Sequence, residues 1–135
     1  MTTARGALYT ACIVAATCPL APAHAHHSYA AFDPCKPIAL EGEINKVEWV
    51  NPHIVIELRT QEVANYRIEW FALGQLAQAN IATGTLQTGD HVVISGAPMR
   101  DPNLKVLSLL SEIRRPSDGW RWARERRLPE NCAAQ

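Results

Sequence analysis

The chain has 135 residues, 47% of them hydrophobic and 19% charged, with 13 basic against 13 acidic side chains. That length supports one small domain rather than two. Balanced charge argues against nucleic acid or an acidic surface as the partner.

Arg5 precedes an almost uncharged run over residues 6–18, followed by Pro19 and small residues. A positive start, a short apolar stretch and small-residue cleavage signatures mark a secretory signal. Two signatures follow the run, Ala21-Pro22-Ala23 and Ala23-His24-Ala25. The reading is a signal peptide over 1–25, cleaved after Ala25 or alternatively after Ala23, and a single domain over 26–135. The run is too short to anchor stably in a bilayer. A lipoprotein signal needs a leucine three residues before its cysteine, but Tyr9 precedes Cys12 and Ala15 precedes Cys18. The mature protein is expected in the periplasm or secreted, and not to span a membrane. Losing Arg5, Cys12 and Cys18 leaves 12 basic against 13 acidic side chains and two cysteines, Cys35 and Cys132. An oxidising compartment favours a disulfide between them, tying the two ends of the mature chain together.

From Ile38 the apolar residues alternate, with Ile38, Leu40, Gly42 and Ile44 in one phase and Val47 and Trp49 in the other. The phase slip at Asn45-Lys46 predicts a long first strand with a bulge. After the turn signal Asn51-Pro52, a second strand has Ile54, Ile56 and Leu58 inward and Val55, Glu57 and Arg59 outward. A third strand is predicted over 66–71. Leu73, Leu76 and Ala77 then fit a short helix that ends at Thr83-Gly84. Thr88-Gly89-Asp90 turns into a fourth strand over 91–96, and residues 98–103 separate it from a fifth over 104–113. Five strands, a bulged first strand and one short helix between strands three and four match a five-stranded Greek-key barrel of the oligonucleotide/oligosaccharide-binding (OB) type. An open half of a β-sandwich is the alternative architecture.

The tail over 114–127 carries six arginines with Trp120 and Trp122 around Ser117-Asp118-Gly119. Such a segment can be a basic aromatic patch for phosphate or nucleic acid. Packing is favoured instead, with arginines stacked on tryptophans and paired with Glu125 and Glu130, because the tail must return Cys132 to Cys35.

The sequence has no Gly-x-Ser-x-Gly elbow, no His-Glu-x-x-His and no phosphate-cradling glycine loop, and no catalytic residue is assigned. Glu41, Glu43, Glu48, Glu57 and Glu69 fall on outward positions or beside the bulge rather than as an acid and base pair. Trp49 and Trp70 read as core, and His91 as a solvated edge residue. The chemistry-bearing feature is the new N-terminus. Cleavage after Ala25 gives His26 a free α-amine beside its imidazole, and His27 or His53 supplies a further nitrogen for a planar site of the kind copper(II) prefers. Cleavage after Ala23 opens the chain with His24-Ala25-His26, whose amine, two amide nitrogens and third-residue imidazole form a planar copper or nickel site. The candidate metal residues are His26, His27 and His53, the last on the outward phase of the second strand. The competing reading of the histidines is a solvated chain end with incidental metal affinity.

The segment His26-His27-Ser28-Tyr29-Ala30-Ala31-Phe32-Asp33, the stretch from Gly42 through Trp49-Val50-Asn51-Pro52-His53, and Gly89-Asp90 opening Val92-Val93-Ile94-Ser95-Gly96 are similar to a group of small secreted bacterial proteins of unknown function. Their mature chains begin His-His-Ser and carry Asn-Pro-His. The resemblance covers nearly all of the mature chain and implies export and a small β domain, with no activity or substrate attached. Cys35, Cys132 and the arginine-rich end depart from that pattern. Two functions remain in view: a periplasmic, non-enzymatic protein binding copper, and an exported interaction module whose barrel face holds a protein or small ligand without metal.

Overall fold

The computed structural model describes residues 29–63, 65–124 and 132. The predicted signal peptide and the histidines at 24, 26 and 27 lie outside the described residues. Strands follow the alternation of apolar residues: β1 is Ile38–Glu48, β2 Val55–Arg59, β3 Tyr66–Glu69, β4 His91–Pro98 and β5 Val106–Arg115, with helix α1 at Leu73–Gln78 between β3 and β4. A sixth strand, β6, spans Trp120–Ala123.

The strand order is β3-β2-β1-β4-β5-β6, and a parallel pairing of β3 with β5 closes the first five strands into a barrel. This is the OB-like Greek-key barrel expected from the element order, with one strand added. The bulge falls where the phase slips: the β1–β2 register shifts between Ile44 and Lys46. Ile44, Ile54, Ile56, Leu58, Ile68 and Ile94 are fully buried and belong to one core cluster. Burying such a side chain contributes roughly 1.5–3 kcal/mol, the main force holding the barrel shut.

Four details differ from the sequence reading. Val55 is buried rather than outward, on the wall of a cavity that Tyr29 and Phe32 also line. The third strand stops at Glu69, although Trp70 N–H still donates to the Ile54 carbonyl (2.9 Å) and Ile54 N–H to that of Phe71 (3.1 Å). The fifth starts at Val106, since Leu104 N–H closes a turn onto Asp101 (3.1 Å). The tail is a strand: β6 pairs antiparallel with β5, from Glu112 opposite Ala123 to Arg115 opposite Trp120. Asp118-Gly119 makes the turn, with Gly119 at φ 75° where a left-handed conformation suits glycine.

The expected packing of the tail holds in kind but with other partners. Trp122 meets Trp70 edge-on at 5.3 Å and Phe71 at 5.7 Å, Arg115 lies over Trp120, and Arg124 lies over Phe71. The described acidic partners are Asp90, Glu112 and Asp118; Glu125 and Glu130 lie outside the described residues. Cys35 and Cys132 stand at disulfide distance, their Cα atoms 5.1 Å apart across a separation of 97 residues.

Candidate functional site

The segment before β1 is docked at the corner joining β4 to β5. Phe32 is fully buried and bridges to Met99. Asp33 N–H donates to the Pro98 carbonyl (2.8 Å), Arg100 N–H to that of Ala31 (2.9 Å), and the Arg100 side chain to that of Ala30 (3.1 Å). These bonds fix where the chain carrying the N-terminal histidines enters the fold.

Next to it, the connection from β1 to β2 holds Asn51-Pro52-His53. Helix α1 has alanine at its N-cap, which offers no side-chain acceptor, and the Asn51 carboxamide takes that role by accepting from Leu73 N–H at 3.2 Å. The peptide between Asn51 and Pro52 is cis. Asn51 therefore ties the loop to α1 and leaves His53 exposed. The Asn-Pro-His motif thus divides into a structural asparagine and a histidine available for chemistry.

Both segments border one cavity of about 650 Å³. Tyr29 and His53 lie on it, with Phe32, Val55 and Leu110 as apolar wall and Glu48, Arg67, Glu69 and Ser108 as polar lining. Glu69 and Ser108 are the buried polar residues, each 9% exposed. Glu69 Oε1 accepts from Arg67 Nε at 3.2 Å. Glu48 is bound by Lys46, whose ammonium holds its carboxyl below the usual range. On the β5 side of the cavity Leu109 has φ 50°, a left-handed conformation costly for a side chain with a Cβ. It sits in a bulge where β5 advances four positions, Ser108 to Glu112, while β4 advances two, Ala97 to Ser95.

Of the predicted metal residues, His53 is therefore placed on the cavity, while His26 and His27 lie outside the described residues. Among the described residues no three His, Cys, Asp or Glu side chains are close enough together to hold a metal ion. Trp70 is core as expected, with its indole N–H buried and unpartnered, and Trp49 packs against it at 6.3 Å. His91 is exposed, as expected of an edge residue, and lies 2.9 Å from Glu41. Sequence reading missed Glu69 and Ser108. Glu69 was placed outward by strand alternation, a rule that does not anticipate a cavity on the outer face.

Residues 14–108 match the model of a family of unknown function, DUF6152. The chain belongs to that family. The DUF6152 match takes in the N-terminal histidines, the Asn-Pro-His motif, Cys35 and the cavity residues up to Ser108. Cys132, most of β5 and all of β6 fall beyond it. The comparison with curated proteins finds no match, and neither does that with solved structures. Among the described residues no helix is long and apolar enough to cross a membrane.

Proposed function

We propose that this DUF6152 protein is exported and, without enzymatic activity, binds one copper(II) ion through its mature N-terminal histidines and His53. The observation that supports the reading is that Tyr29 and His53, 24 positions apart, border the same cavity. His27 precedes Tyr29 by two residues in sequence, and a chain spans at most about 3.6 Å per residue, so the covalent distance between the two is at most roughly 7 Å. Export supplies the remaining ligand, the α-amine of His26. Amine and imidazole nitrogens suit copper(II), and the carboxylates of Glu48 and Glu69 on the same cavity favour a cation electrostatically.

The test is calorimetric titration of copper(II) into untagged protein starting at His26. One ion should bind, and acetylating the amine or substituting His53→Ala should weaken it. Loss on acetylation with no change in His53→Ala places the metal on the N-terminal peptide alone. If the blocked and free proteins bind equally, the metal reading falls and that of an interaction module replaces it.

A further inference from the structure

The metal reading draws on Glu69 only through its charge, and leaves the hydrogen-bonding capacity of that residue unused. The parallel pairing of β3 with β5 sets Ile68 opposite Leu107, and the residue that follows each, Glu69 and Ser108, lines the cavity. Glu69 commits Oε1 to Arg67 Nε, but Oε2 has no hydrogen-bond partner among the described residues, and neither has the Ser108 hydroxyl. Neither atom is sealed from solvent in the way that Trp70 Nε1 is, and the space both residues border is the cavity. A carboxylate whose side chain is 10% exposed and half uncommitted, on the same cavity as a hydroxyl, is an acceptor to which the described residues donate on one oxygen only. Buried acceptors of this kind gain most from a charged donor.

The surroundings restrict what that donor can be. Two carboxylates border the cavity, those of Glu48 and Glu69, against one permanent cation, Arg67, which is half exposed and already bonded to Glu69. An anion would face the uncommitted oxygen of Glu69. Phe32, Val55 and Leu110 form a buried apolar wall, and about 650 Å³ exceeds what a bare ion needs and suits a small organic molecule. We infer that the cavity binds a small primary ammonium compound with a compact apolar body, its ammonium group donating to Glu69 Oε2 and the Ser108 hydroxyl.

This inference stands apart from the copper reading, and its test is run on metal-free protein in the presence of a chelator. Benzylamine is the probe, followed by ¹⁵N–¹H NMR titration, with benzyl alcohol and benzoate as neutral and anionic partners of the same size. Benzylamine should bind and shift the amide signals of Glu69, Ser108 and Val55, with benzyl alcohol and benzoate each weaker by about tenfold or more. Glu69→Gln should cost about tenfold in benzylamine affinity, and Ser108→Ala about threefold. Because Ser108→Ala removes one oxygen and no charge, it keeps the test decisive if Glu69→Gln does not fold. No binding of benzylamine at millimolar concentration, equal binding of benzyl alcohol, or shifts confined to another surface would each overturn the inference.

Discussion

The guanidinium of Arg115, at the end of β5, binds the carboxylate of Asp90, 25 residues earlier in the turn before β4, at 2.8 Å. The same Nη1 donates to the Thr85 carbonyl at 2.7 Å, and Nε and Nη2 grip Asp118 in the β5–β6 turn. One side chain thus joins the α1–β4 connection, at two points, to the β5–β6 turn, and its pKa is raised above the usual arginine value chiefly by Asp118 and then by Asp90. Lysine cannot reproduce this fork of parallel donors. Arg115→Ala should destabilise the domain by about 2 kcal/mol and Arg115→Lys by roughly half of that, read from urea midpoints at unchanged slope.

Asp118 responds to pH in a defined direction. Its carboxyl lies below the ordinary value of 3.8, first because of Arg115 and then because Trp120 N–H donates to it at 3.0 Å. A group whose pKa is depressed by folding contributes stability that is present above its unfolded value and lost as pH falls through its folded value. Asp118→Asn should therefore melt below the unaltered protein at neutral pH, and the gap should close in acid below the ordinary carboxylate range. A gap that persists unchanged in acid would show that the charge of Asp118 contributes nothing.

At Gly96 the constraint is steric. A Cβ there would stand 2.7 Å from the Ser108 carbonyl oxygen and 2.8 Å from a Leu110 methyl, so β5 with its Leu109 bulge comes this close only because the side chain is absent. Gly96→Ala should cost about 3 kcal/mol, near the upper end for overpacking, and should perturb the cavity signals of Ser108. Gly84→Ser is the contrast on open space, where only the positive φ of 87° is strained, and about 1 kcal/mol is expected. Thermal or urea unfolding of the two variants side by side checks the ranking.

The cysteine pair closes nearly the whole domain. A loop of 97 residues is worth roughly 4–5 kcal/mol in the chain-entropy account. Purified mature protein should lose no thiols to alkylation without reductant, and a peptide map should link Cys35 to Cys132. Replacing both cysteines by serine should lower the urea midpoint accordingly, and two alkylatable thiols in the oxidised protein would refute the pairing.

What was legible from residues alone is what depends on neighbours in the chain. Alternation of apolar side chains located five strands, a phase slip placed the bulge between Ile44 and Lys46, and two turn signals bracketed β4. The pairing of Cys35 with Cys132 was expected because they are the two cysteines outside the predicted signal peptide, and the two stand at disulfide distance. Even β6 had a local sign in Asp118-Gly119 followed by alternating Trp120 and Trp122. Tertiary structure alone decided the rest. Alternation says which face a side chain takes but not what will cover that face, so Val55 and Glu69 were read as outward although both are buried and line a cavity shared with Phe32. Glu69 and Ser108 come to line one cavity because β3 and β5 pair in parallel just before them, a pairing between strands separated by the helix and β4 that no local pattern encodes. Asn51 proved to cap a helix 22 residues away, and Arg115 to hold a turn 25 residues back. Those contacts form only once the barrel closes and apolar burial brings distant loops within hydrogen-bonding reach.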